Sequence, residues 1–119
     1  MKIILIVLFL STSTWGFSQT TPLNVGDAFP DIPLGEVINN KTGKTRFSEF
    51  KGKLVILDFW NVHCTVCLQL MPHIEELQRK FGDSVQIFLV NTHDTKEEVI
   101  RFMNRSKIKL PDLPSIVDA

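Results

Sequence analysis

Apolar residues recur at changing intervals along this chain, and each change predicts a different element. Residues 3–10 are an unbroken apolar run. Residues 20–33 carry Pro22, Gly26, Pro30 and Pro33, a spacing no helix tolerates, so this stretch is predicted to be extended. Glu36-Val37-Ile38 reads as a short strand. The cluster Asn39-Asn40-Lys41-Thr42-Gly43 is a turn signal, and Thr45-Arg46-Phe47 is expected to pair back with the strand as a hairpin. Residues 48–52 fit a single helical turn closed by Gly52.

Residues 53–59 have no polar position after Lys53 until Asp58, which predicts a central strand, buried on both faces of a mostly parallel sheet. The interval then becomes helical: Cys67, Leu70, Met71, Ile74, Leu77 and Phe81 share one face, and Gly82 supplies the stop. Pro72 lies inside this helix and is expected to kink it. Residues 85–90 are a second strand. Thr95 and Glu98 have capping-box spacing, and Val99, Phe102 and Met103 continue a helix over 96–105. Residues 110–118 are extended around Pro111 and Pro114, with a short strand at Ser115-Ile116-Val117. The order hairpin, β, α, β, α describes one α/β domain.

Composition narrows the function classes. The chain has 119 residues, of which 44% are hydrophobic, and its 13 basic residues balance 13 acidic ones. There is no basic stripe, so a nucleic-acid partner is not expected, and the apolar content excludes a disordered chain. The N-terminus has the layout of a secretory signal peptide over residues 1–18. Lys2 is the positive region, 3–10 the apolar region, and Gly16 and Ser18 are small residues before a cut at Gln19. Eight apolar residues are too few to cross ~30 Å of hydrocarbon, which needs about 20 as a helix. A cleaved leader, no stable membrane insertion after cleavage, and an exported, periplasmic or extracytoplasmic domain over 19–119 are the expectation.

Cys64 and Cys67 are the only cysteines, and they stand where the second strand feeds the helix. Two thiols spaced Cys-x-x-Cys at a helix start can close a small disulfide ring and reopen it. Cys64 would meet unpaired backbone N–H groups and the positive end of the helix dipole, which favour its thiolate. Cys67, one turn in and on the buried side, would resolve the mixed disulfide that Cys64 forms. In an oxidising compartment such a pair needs a partner to supply or take electrons. Asp58, inside an apolar strand, is expected to have a raised pKa.

Asp58-Phe59-Trp60-Asn61-Val62-His63-Cys64-Thr65-Val66-Cys67, followed by Pro72, resembles the active site of the thioredoxin superfamily. Val25-Gly26-Asp27-Ala28-Phe29-Pro30 and Phe50-Lys51-Gly52-Lys53 resemble its exported thiol–disulfide oxidoreductase branch, the TlpA/ResA-like proteins related to the AhpC/TSA redoxins. The resemblance covers residue 25 to the end. It implies a thioredoxin-like fold with an N-terminal hairpin extension, and protein thiols and disulfides as substrates, with apocytochrome thiols one possibility. It implies Cys64 and Cys67 as the catalytic pair, Asp58 as the proton carrier of the inner cysteine, and Trp60 as the aromatic packed beneath the dithiol. No cofactor is implied beyond the redox-active disulfide itself, and a membrane electron donor is the implied partner. His63 replaces a residue that is commonly aromatic and would tune Cys64 if protonated. Thr65-Val66 replaces the Gly-Pro of ordinary thioredoxins, so the direction of electron flow does not transfer.

The family's cis-proline loop, last strands and last helix are not found in the resemblance, and neither Pro111 nor Pro114 takes the cis-proline's place. The expectation is a domain incomplete at its C-terminus, poorly stable alone, for which a cooperative thermal transition would be the refutation.

Other functions read less well. Two thiolates with His63, His73 or His93 could hold Cu(I) or Zn(II) as in a copper-binding chaperone of this fold. His73 reads as a surface residue, however, and copper-delivering members space their cysteines more widely. A peroxidase is disfavoured because neither cysteine is preceded by Pro-x-x-x-Thr-x-x-Cys. A redox-inactive binding module would leave the paired dithiol unexplained.

Overall fold

The computed structural model describes residues 21–117. The leader assigned to residues 1–18 lies outside the described residues. The elements are β1 (Glu36–Ile38), a 3-10 turn (Phe47–Phe50), β2 (Leu54–Phe59), α1 (Thr65–Phe81), a second 3-10 turn (Gly82–Ser84), β3 (Val85–Val90), α2 (Lys96–Ser106) and β4 (Ser115–Val117). They form a four-stranded mixed sheet in the order β1-β4-β3-β2. β2 and β3 are parallel with Leu54 opposite Val85 and Phe59 opposite Val90. β4 is parallel to β3 and antiparallel to β1. The α/β class, the thioredoxin-like architecture and the two helices agree with expectation.

Alternation along the strands sorts side chains to two faces. Ile87, Leu89 and Val117 face the two helices, and with Met71, Val99 and Trp60 they form the larger core cluster. Phe88, Val90 and Ile116 face the other way and pack on Leu34 and Phe50 from the N-terminal segment. Phe50 meets Phe88 edge-on at 5.0 Å between ring centroids. All six residues of β3 are buried, as befits a strand with neighbours on both sides.

Two expectations are corrected. β2 is not buried on both faces: among the described residues it pairs with β3 alone, and several of its apolar side chains are exposed. Leu54, Ile56 and Phe59 are 62%, 41% and 60% exposed. An apolar run records side-chain character and carries no information about how many strands flank it. The hairpin is also shifted. β1 pairs with β4, about 80 residues away in sequence, instead of with Thr45-Arg46-Phe47. The chain does fold back, but earlier, through a bridge between Pro33 and Arg46 and a bond from Leu34 N–H to Thr45 O of 2.8 Å.

α1 starts at Thr65 with Cys64 as its N-cap and ends at Gly82, whose φ of 52° is costly for any residue with a Cβ. Pro72 sits in its interior, where it cannot donate to Leu68 O. The side-chain amide of Gln78 finishes the helix by bonding the strand that follows. Its Nε2 donates to Val85 O at 2.9 Å, and its Oε1 accepts from Ile87 N–H at 2.8 Å. β4 pairs β3 only at Leu89 and Val90, so the amide satisfies backbone groups that β4 does not reach. Among the described residues no helix is long and apolar enough to cross a membrane.

Candidate active site

β2 and β3 run parallel and in register, so their carboxyl ends lie side by side. Loops at such ends are where sites collect in α/β sheets, because the chain there leaves the ladder with free backbone groups. Trp60 extends the ladder by one bond, its N–H donating to Val90 O at 3.0 Å. The chain then turns sharply. Asn61 O accepts from Cys64 N–H at 3.1 Å, and Asn61 Oδ1 accepts from His63 N–H at 2.9 Å. This turn delivers Cys64 to the N-cap of α1, where Leu68 N–H donates to its carbonyl at 3.1 Å.

Cys64 and Cys67 are joined as a disulfide, with their Cα atoms 5.3 Å apart. Cys64 Sγ accepts from Cys67 N–H at 3.3 Å, so the sulfur already stands where a capping oxygen would. When the bond opens, that N–H and the positive end of a 17-residue helix both favour a thiolate on Cys64. No acidic side chain occupies the first turn to oppose it. Cys67 Sγ lies 3.9 Å from Phe59 O and packs against the helix-side core. Both cysteines are half-buried, so the inner one is shielded by what it touches on one side rather than by lower overall exposure.

Asp58 stands opposite Leu89 and therefore on the face that α1 covers, one residue before the carbonyl that approaches Cys67. Its half-buried carboxyl is pushed above the usual carboxylate range by loss of solvent, the direction expected from its place in an apolar strand. Trp60 is 4% exposed and belongs to the helix-side core. Its indole N–H has no acceptor among the described residues. His63 is exposed on the turn before Cys64, His73 is exposed on α1, and His93 is exposed after β3. Among the described residues no three or more His, Cys, Asp or Glu side chains are gathered as a metal would require.

The structure adds two residues to the site. Asn91 and Asp94, in the loop after β3, are 0% and 6% exposed. Asp94 Oδ2 accepts from Asn91 Nδ2 and from Val62 N–H, each at 2.8 Å. The sequence signal was a polar Asn-x-x-Asp pair directly after a strand, which by itself reads as a turn and a helix lead-in.

A parallel strand pair with two helices on one face, and a disulfide capping the helix that follows the first of those strands, define a thioredoxin-like disulfide protein. The chain belongs to the AhpC/TSA family, whose model matches residues 25–114. It is similar to the thiol-disulfide oxidoreductase ResA of Geobacillus kaustophilus, with 32% identity over 96 residues covering 80% of this chain and 53% of that one. It is similar to the thioredoxin-like protein YneN of Bacillus subtilis, with 27% identity over 118 residues covering 92% and 68%. Among solved structures it resembles a Chlorobium tepidum protein assigned as thiol:disulfide interchange protein DsbE. There the TM-score is 0.61 at 28% identity, over 80% of this chain and 63% of that one. The chain thus spans about half the length of the ResA relative it matches.

Proposed function

We propose that this protein is an exported thiol–disulfide oxidoreductase that reduces disulfides of other proteins. The observation that carries the reading is the Cys64–Cys67 disulfide at the N-cap of α1, where the sulfur of Cys64 takes the place of a capping oxygen. The names of the relatives, a thiol-disulfide oxidoreductase and a thiol:disulfide interchange protein, agree with it. In the reduced protein the Cys64 thiolate attacks a substrate disulfide, forming a mixed disulfide and releasing one substrate sulfur as a thiolate, which takes a proton. Cys67 gives its proton to Asp58 and attacks Cys64 Sγ, expelling the second substrate sulfur. Two substrate thiols and the Cys64–Cys67 disulfide result. Trp60 packs under the dithiol, and His63 tunes Cys64 when it carries a proton.

Each turnover leaves the pair oxidised, so a dithiol donor must return two electrons. The N-terminal leader supports an extracytoplasmic, periplasmic setting, and a membrane-bound donor follows from that setting. Equilibration of the purified protein with glutathione tests the direction. A potential of about −250 mV or lower places it with the reductants, whereas one near about −120 mV would make it an oxidant and overturn the reading.

A further inference from the structure

We propose that Asp94 is a positioning residue for the dithiol, holding through the Val62 N–H the loop that delivers Cys64 to the helix start. The proposal rests on the reading of Cys64–Cys67 as an exchanging pair. Asp94 belongs to a different loop from the cysteines, 32 residues from Val62 in sequence, yet a 2.8 Å bond joins the two. Val62 lies two residues before Cys64, so the Cα atoms of the two are within about 7 Å of each other.

The anchor behind Asp94 is itself built in. Asn91 N–H donates to Ile116 O at 2.9 Å, tying the loop to β4. Asn91 Oδ1 accepts from His93 N–H at 3.0 Å and from Asp94 N–H at 2.9 Å, and Asn91 Nδ2 donates back to Asp94 Oδ2. A continuous line of hydrogen bonds thus runs from the sheet to the turn before Cys64. A buried polar side chain is costly to keep unless its hydrogen bonds are made, so at 6% exposure the Asp94 oxygen is held in place by the Val62 and Asn91 donors. Loss of this hold lets the cysteine-bearing turn move relative to α1. Closing the Cys64–Cys67 ring then costs more order, and the reduced form gains.

One oxygen, Oδ2, accepts both bonds, and this makes the idea testable. Asp94→Asn keeps an oxygen there and removes the charge. Asp94→Glu keeps the charge and moves the oxygen by a methylene. Each variant's dithiol is equilibrated with glutathione while folded. Asp94→Asn is expected to match the parent within about twofold, and Asp94→Glu to disfavour the disulfide by about fivefold or more. A role confined to stability would shift a melting temperature and leave both constants unchanged, which would overturn the proposal. A shift in Asp94→Asn with none in Asp94→Glu would also overturn it, since charge would then be the active term. A parent that does not equilibrate with glutathione at all defeats the oxidoreductase reading and this proposal together. A parent that equilibrates, with both variants matching it, defeats this proposal alone.

Discussion

The two helices of this domain begin in opposite ways. α2 starts with Thr95, whose side chain accepts from Glu98 N–H at 3.2 Å while Glu98 Oε2 accepts from Thr95 N–H at 2.8 Å. Glu97 and Glu98 add negative charge to its first turn. α1 starts with Cys64, whose sulfur accepts from Cys67 N–H at 3.3 Å, and its first turn holds no acid. The first arrangement neutralises the positive end of the helix with oxygen and charge. The second leaves that end to a weak sulfur acceptor. Stability is surrendered at α1, and what is gained is a helix terminus whose unspent N–H groups and dipole act on a thiol. On the proposed function, α2 has a structural helix start and α1 a chemical one, on the same face of the same sheet.

The sharpest way to break this comparison is to give α1 an oxygen cap. Cys64→Ser places a preferred N-cap residue at the same position, so the helix should be retained. Disulfide reduction should nevertheless fall by roughly 1,000-fold or more if Cys64 is the nucleophile, as proposed. Insulin turbidity and far-ultraviolet circular dichroism, measured on the same sample, check both halves. Retained activity would remove Cys64 from the role of nucleophile. The reverse operation is Thr95→Ala, which strips the cap from α2. It should cost about 1 kcal/mol of unfolding free energy in a urea titration and leave the exchange rate of the folded protein unchanged. A matching loss of exchange would mean that the two helix starts are not separable.

The start of α2 was legible because its signals are local. Thr95 and Glu98 are three residues apart, and their reciprocal bonds need nothing from the rest of the chain. The bounds of β3 and β4 and the stop at Gly82 were legible for the same reason. So was the disulfide, since two cysteines at this spacing at a helix start leave each other as partners. What the pattern could not carry was every contact between distant segments. The run from Leu54 to Phe59 says nothing of how many strands flank it, and its exposure, with β3 its one partner among the described residues, is visible only in the fold. The partner of β1 is β4, and nothing in Glu36-Val37-Ile38 encodes that choice over the nearer residues 45–47. Asp94 is the clearest case at the site, because its meaning lies in the Val62 amide on another loop.

The smallest effects come from the acids beside the two helix starts, and they have opposite signs. Glu98 has its pKa lowered, chiefly by the hydrogen bond from Thr95 N–H. Its ionised form is favoured by folding, so it adds stability above its unfolded pKa and loses it as pH falls through the lower folded value. Asp58 has its pKa raised by burial. The folded state therefore holds a proton that the unfolded state has released, and stability falls as pH rises from the unfolded to the folded pKa of this group. At neutral pH, Glu98→Gln should lower the melting temperature slightly and Asp58→Asn should raise it slightly. Both differences should vanish below the carboxylate range, where each parent side chain is protonated in both states. Melting temperatures of the three proteins between about pH 3 and pH 8 span the ordinary carboxylate range and neutrality. Two curves departing from the parent in the same direction would contradict the assignment of one acid to stabilising a helix and the other to the dithiol. If Asp58→Asn also slows release of the mixed disulfide while its fold is more stable, the raised pKa belongs to the chemistry, held in place at some expense to the fold.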